Sequence, residues 1–417
     1  MFYLLFIIYL AFFCWLIPRI KFFRNTGLGI YLLIGLFVAR VLAGLINGYI
    51  FLYYYPTSDI AFFHLQGIEE FHLLFHNTTE YFTNIFHSNH HGYGAFLEVS
   101  DSYWNDTRSN LIIKMLSIFD IFSGKNFFIN SLFFNFLIFF GTAALYKVFI
   151  DIFPGHKLIV AICIFLLPSV IFFSSAIHRD GLIYLSISMV VYHLFFMMKN
   201  RSYQWGKIAA ILFFILLILL LRNFVLIIIF PALLAWLVAA RKPKHAFIIF
   251  FGIYFILGIL FFCTTFLPPA YNLPAHAASR QNAFIEIAKG GASSININQL
   301  YPNFKSFLIN MPQAINHSFM RPYLTEHDNF LYIPSGLEIF FYEILFLIFI
   351  FFRKKKLSPP PVIYFSVFLT ITMFLVIGYT IPIIGAIVRY RSIYFPFIVI
   401  PVACYTDWNK VKRTVKL

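Results

Sequence analysis

At 417 residues, 61% of them hydrophobic, 21% aromatic and only 11% charged, the chain carries more apolar surface than a soluble fold of its length can bury, which leaves lipid as its solvent. A formal charge of +15 would suit a nucleic-acid binder if it were gathered on one face or tail; here the basic residues sit in short clusters between apolar runs, so no nucleic-acid partner is expected. Cys14, Cys163, Cys263 and Cys404 all fall inside apolar runs, which argues against a disulfide framework or a thiolate metal site.

A spanning helix needs about 20 apolar residues to cross a hydrocarbon core about 30 Å thick. In chain order the runs that meet this need are 1–17, 27–55, 127–150, 158–175, 182–198, 208–221, 224–240, 246–266, 337–352, 362–388 and 391–405. The first lacks the basic leader and small-residue cleavage site of a signal peptide and is read as a span. Segments 208–221 and 224–240 meet at Arg222-Asn223 and are counted as two passes. The expectation is an all-α polytopic transmembrane bundle of about 10–12 spans, forming a single integral-membrane domain over 1–417 with two large loops, 56–126 and 267–336.

Orientation follows from the short loops, because Lys and Arg collect on the cytoplasmic side. Five clusters, at Arg19/Lys21/Arg24, Lys199/Arg201/Lys207, Arg241/Lys242/Lys244, Arg353 to Lys356 and Lys410/Lys412/Arg413/Lys416, fall on one side if these spans are right. Both large loops then face away from the cytoplasm, and they hold most of the acids, among them Asp59, Glu69, Glu70, Glu80, Glu98, Asp101, Asp106, Asp120, Glu286, Glu326 and Asp328. The first loop mixes His and aromatic residues in a manner suited to helices lying in the membrane interface, with a second such helix over Leu111–Phe122. The second opens with Pro268-Pro269 and contains the small-residue tract 290–294.

Ionisable residues at the outer ends of spans are the candidates for chemistry, since charge near lipid costs free energy unless paired or used. Asp59 follows the second span in Tyr55-Pro56-Thr57-Ser58-Asp59, where Ser58 or Asp59 could equally cap a following helix. His178-Arg179-Asp180-Gly181 forms a turn between two spans. Arg222 lies where two apolar runs meet, Arg321 precedes Pro322, and Arg389-Tyr390-Arg391 precedes the last span on a side where arginines are unexpected. Arg179, Arg222, Arg321, Arg389 and Arg391 thus share one expected face, and a guanidinium fork suits phosphate oxygens. Together they suggest an anionic head group held at the bilayer surface, such as a polyprenyl phosphate or pyrophosphate.

The order of these parts resembles the GT-C superfamily of integral-membrane glycosyltransferases. Asp59, an acidic residue soon after a span in the first outer loop, matches a position of that layout; Arg389-Tyr390 before Pro396 resembles its late Arg-Tyr pair, and Pro168 to Gly181 its span-end turn. The resemblance implies transfer of a sugar from a polyprenyl-phosphate donor to a cell-envelope glycan or lipid acceptor on the extracytoplasmic face, in a bacterial inner membrane. Asp59 or Asp180 would be the general base; His178 and the arginines would bind substrate and stabilise the departing phosphate. The chain departs from the layout in an extra span before the acidic loop and in having no acidic residue paired with Asp59.

Two other readings stay open. A polysaccharide polymerase or ligase would use Arg321, Glu326 or His327 in the second loop; a lipid-linked glycan flippase or transporter would need polar groups along a path through the membrane, for which Arg40 and Glu343 are the candidates and are expected to pair. No cofactor is expected. His72 and His76, with His87, His90 and His91 beyond, could in principle place imidazoles around a divalent metal, but no HExxH-type pattern accompanies them.

Overall fold

The structure, a computed structural model, describes residues 2–56, 58–87, 103–289, 291, 293–326, 332–355 and 358–415. Glu98, Asp101, His90, His91, His327 and Asp328 lie outside these residues. Helices dominate, in the order α1 (Phe2–Leu16), α2 (Lys21–Arg24), α3 (Ile30–Tyr49), α4 (Asp59–His76), α5 (Thr78–Thr83), α6 (Tyr103–Ser123), α7 (Phe127–Ile152), α8 (Lys157–Phe165), α9 (Pro168–Ser175) and α10 (Arg179–Lys199). There follow α11 (Trp205–Leu221), α12 (Asn223–Ala239), α13 (Ala246–Cys263), α14 (Leu273–Ala288), α15 (Phe304–Ile315), α16 (Ile333–Phe352), α17 (Pro361–Thr380), α18 (Ile384–Ser392), α19 (Phe395–Tyr405) and α20 (Trp408–Val415). The all-α expectation holds: among the described residues only two isolated bridges, Ser294 to Ile383 and Arg353 to Thr406, interrupt it.

Seven helices among the described residues are long and apolar enough to cross a membrane, and nine spans result if two bent pairs each count as one. The chain is a multi-pass membrane protein. Both bent pairs have a sequence cause at the break. In the first, α8 ends and Pro168 opens α9 at a 50° bend; in the second, Pro396 stands in the first turn of α19, 64° from α18. Proline lacks the N–H and clashes with the preceding turn, so a helix stops or bends there. The difference from ten to twelve expected spans lies in α11 and α12, which are 17 residues each, about 25 Å at 1.5 Å per residue.

Contacts between helices sort the bundle into two ends. At one, Lys199 pairs with Asp151 at 2.6 Å, Lys354 donates to the Cys404 carbonyl at 2.8 Å, Lys147 lies over the Phe22 ring, and Lys410 lies over Phe352. Trp236, Phe365 and Phe397 make tilted and edge-to-face ring contacts in series there, with Phe247 against Tyr364 just beyond the 241–244 cluster. The described residues of all five basic clusters therefore gather at this end. Arg222 reaches Asp180, at the other end of α10, so α11 runs up to that end and α12 runs back down to Trp236. These two helices are opposed passes between the same ends.

The far end holds both large loops. In the first, α4 packs on α6, fastened by Lys114 to Glu70 at 2.5 Å and by Tyr81 Oη to Ser117 Oγ at 2.8 Å. The helix expected over Leu111–Phe122 begins eight residues earlier, at Tyr103, and the extra turns carry Arg108 and Ser109. The second loop is tied to the end of α17 by Gln281, which donates to the Tyr379 carbonyl at 2.8 Å. It is also tied to the start of α18, where Ile384 N–H donates to Ser293 O at 3.0 Å. Gly378 permits this: a Cβ there would lie 1.9 Å from the Ala314 carbonyl oxygen of α15.

Candidate functional site

Four chain segments meet at the far end, and each delivers its charge for a local reason. Ser58 caps α4, accepting from Ala61 N–H at 3.3 Å. Capping thus falls to Ser58 and leaves the Asp59 carboxylate free to reach across to His178, whose Nε2 lies 3.1 Å from Asp59 Oδ2. His178 in turn caps α10. Gly181 lets this turn close, since a Cβ there would meet the Ser174 carbonyl at 2.8 Å. Arg222 stands at the extended break between α11 and α12, with φ −153° and ψ 90°, where the chain reverses direction.

The imidazole bridges two carboxylates. Its Nδ1 lies 2.9 Å from Asp180 Oδ2 and 3.4 Å from the Asp180 N–H. Asp180 is fully buried, and its charge is met by Arg222 Nη2 at 2.8 Å and Arg389 Nε at 3.7 Å. Arg389 also lies 3.7 Å from Asp59 and donates to Tyr390 Oη at 3.1 Å. These ion contacts lack the alignment of hydrogen bonds at Asp180 Oδ1 and Oδ2 and at Arg389 Nε, so they act mainly through charge. Asp59 differs from Asp180 in exposure: 60% of its side chain is accessible. The hydrogen bond from His178 holds its carboxyl well below the usual range against the opposing effect of burial, with the charges of His178, Arg389 and Arg179 adding to the fall.

More guanidinium surrounds this knot than its carboxylates can balance. Arg179 donates to Ser109 Oγ at 2.8 Å, and its Nε finds no acceptor. Arg108 on α6 is lowered to about 10 by burial and by the charges of Arg179 and Arg222. Arg280 on α14 is also lowered to about 10, first by burial and then by Arg222 and Arg108, while Tyr390 acts in the opposite direction. Its guanidinium lies flat on Phe224 at 3.7 Å, and Arg222 lies over Tyr390 at 4.1 Å. Among the described residues four arginines, Arg179, Arg222, Arg280 and Arg389, thus face two carboxylates, a surplus of cation that suits an incoming anion.

The knot opens sideways into an apolar groove of about 330 Å³ between the residues that follow α3 (Ile50, Phe51 and Tyr55), α9, α16 and α18. Phe51, Phe173 and Arg389 line both this groove and the small recess that holds Asp59 and His178, so one continuous depression runs from apolar wall to charge.

Of the residues singled out in the sequence, Asp59, His178, Arg179, Asp180, Arg222 and Arg389 converge here. Arg321 and Arg391 do not. Arg321 pairs with Glu326 at 3.1 Å in the second loop. Arg391 is two residues past Arg389, about 200° around the helix at 100° per residue, and points into the core, where Nη1 donates to the Ser318 carbonyl at 2.6 Å. The expected pairing of Arg40 with Glu343 is not present. Arg40 instead donates to Ser174 O at 2.5 Å and Thr142 Oγ1 at 3.3 Å, while Glu343 lines a separate lateral groove. Tyr390, singled out in the sequence beside Arg389, stands in the cluster as well, and Arg108 and Arg280 complete it without having been picked out from the sequence.

His72 and His76 are both in α4, with His72 Nε2 lying 3.4 Å from Lys125 Nζ; among the described residues no group of three or more His, Cys, Asp or Glu gathers as a metal site would require. No family model matches the chain, and no curated protein or solved structure matches it either.

Proposed function

We propose that the chain is an extracytoplasmic membrane glycosyltransferase that takes a sugar from a polyprenyl-phosphate donor. The observation that carries this reading is the junction of surplus arginine with an apolar groove at one end of the bundle. A polyprenyl phosphate is built the same way, with a long apolar chain ending in an anion. The chain lies along Phe51 and Phe173, and the phosphate meets Arg389, with Arg179 and Arg222 behind it. The basic clusters at the opposite end support a cytoplasmic assignment for that end. The protein belongs, on this reading, in a bacterial inner membrane.

Asp59 is the better placed of the two carboxylates for a base, being open to solvent while Asp180 is sealed behind Arg222 and His178. Its carboxylate takes the proton from an acceptor hydroxyl whose oxygen attacks the anomeric carbon. The bond from that carbon to the phosphate oxygen breaks, its electron pair stays on the phosphate, and the arginines stabilise the charge released. A carboxylate held so far below its usual range is a weak base in the empty site. The donor's phosphate offsets the arginine field, so donor binding strengthens Asp59 and couples activation of the acceptor to presence of the donor. Asp180 and His178 position Asp59 and Arg389.

The test is release of free polyprenyl phosphate from a panel of polyprenyl-phosphate sugars by the purified chain in vesicles with a membrane extract as acceptor. Wild type should release it and Asp59→Asn should not; absence of release with every donor would overturn the reading. For orientation, a single cysteine at Ser293, placed after the exposed Cys263 has been changed to serine, should react with an impermeant thiol reagent in intact cells, and one at Ser202 only after lysis.

A further inference from the structure

We infer that the arginine cluster serves a second groove, lined by Arg280, which holds another single-chain lipid phosphate: the acceptor, or the product after transfer, is itself lipid-linked. This rests on the glycosyl-transfer reading for the first groove. Arg280 and His276 of α14 line a recess of about 120 Å³ whose other walls include Phe224 and Ile227 of α12, Phe261 of α13 and Val376 of α17. It is lined by apolar residues from helices that run the depth of the bundle, as a lipid chain requires, and it ends at a cation.

That cation is unlike the others. Arg222 and Arg389 each face a carboxylate, whereas among the described residues Arg280 makes no ion pair and its printed contacts are with the Phe224 and Phe284 rings at 3.7 and 5.7 Å. Its nearest charges include Arg222 and Arg108, both positive. A guanidinium half-buried among like charges is a site of unmet electrostatic demand, and an anion relieves it. Arg280 and Arg389 are both close enough to the Tyr390 hydroxyl to interact with it. Two phosphates, one in each groove, would therefore each meet an arginine within reach of Tyr390, near enough for a sugar to pass from one lipid to a chain carried by the other. Charge complementarity and the apolar walls select a lipid phosphate over a soluble sugar, which would leave the walls unused.

The probe is a long-chain polyprenyl phosphate doped into phosphatidylcholine nanodiscs holding the full chain, with bound molecules counted by native mass spectrometry. Wild type should retain two. Arg280→Gln should retain one, and so should Ala277→Phe, which fills the recess without touching a charge; the molecule that stays shows that each variant is folded. Neutral polyprenol should not replace the lost molecule. A wild-type count of one, or two molecules retained by both variants, overturns the inference while leaving the first groove intact. A count of zero removes the donor reading as well. Replacement of the second molecule by phosphatidylglycerol at equal mole fraction would overturn the assignment to a polyprenyl phosphate.

Discussion

Two buried polar clusters stand side by side in this bundle, and α18 contributes an arginine to each. The first is the knot of Asp59, His178, Asp180, Arg222 and Arg389. The second joins Glu338 of α16 to Ser169, whose N–H and hydroxyl both donate at 3.0 Å, and to the Tyr342 hydroxyl at 2.5 Å. Arg391 lies near enough to Glu338 to feel its charge and is fully buried. In the second cluster the one carboxylate faces one arginine and three hydrogen-bond donors, and the groups are closed off by the core. In the first, cation exceeds anion, one carboxylate is exposed and a groove leads in. Burial of charge alone does not mark a site; surplus charge with an opening does. A balanced, closed cluster does structural work, because breaking a buried charge contact leaves its partner uncompensated.

Substitution should separate the two. Asp59→Asn should lower sugar transfer per folded molecule by about 10²- to 10⁴-fold, the range expected for removal of a general base. Near-normal turnover would remove Asp59 as the base. In the closed cluster the pattern should invert. Arg391→Met should cost about 1–3 kcal/mol of stability, because it strands the buried Ser318 carbonyl, while the folded fraction transfers sugar at close to the wild-type rate. Equal loss of activity per folded molecule in both variants would erase the distinction between the clusters.

A smaller effect lies in pH. Asp59 has a folded pKa below its unfolded value, so its contribution to stability is complete above the ordinary carboxylate range and is lost as pH falls through the lower folded value. The acid limb of transfer should accordingly lie below that ordinary range, apart from the upward shift that bound donor induces. His178 is the largest cause of the depression. His178→Gln should move the acid limb upward by about one unit or more, measured as the pH dependence of kcat/KM. An unmoved limb would show that Asp59 does not govern it.

The chain's membrane character was legible because uninterrupted apolar runs and one-sided basic clusters are properties of sequence alone. Asp59, His178, Asp180, Arg222 and Arg389 were legible because charge at the end of a span stands out against apolar neighbours. Arg108 and Arg280 were not, because they lie in long loops whose helices are positioned only by tertiary contacts such as Gln281 to Tyr379. Arg321 and Arg391 were grouped with the site because they share its end of the bundle, but a shared end is not a shared face: two residues along a helix turned Arg391 away. Glu338 was passed over and Glu343 chosen for a related reason. In a helix apolar on nearly every side, periodicity does not say which face is inward, and Glu338 is buried while Glu343 is not.

The smallest effect expected concerns that last pair, and it tests whether the closed cluster extends toward the groove beside it. Arg40 is buried in α3 and satisfied by α7 and α9, through Thr142 and through both the hydroxyl and the carbonyl of Ser174. Glu343 sits in a lateral groove among Phe319, Phe346 and Phe374, on a different helix and with none of those partners. Arg40→Met removes a buried hydrogen-bonding cation and strands the Ser174 carbonyl, which should cost about 1–3 kcal/mol. Glu343→Leu removes a charge from an apolar groove wall and should be neutral or slightly stabilising. Because the two share no partner, their effects should add to within about 0.5 kcal/mol. A coupling above about 1 kcal/mol in the double-mutant cycle, read from unfolding in detergent, would mean that a polar connection crosses from α3 to α16. The bundle would then hold one extended charge network in place of two separate clusters.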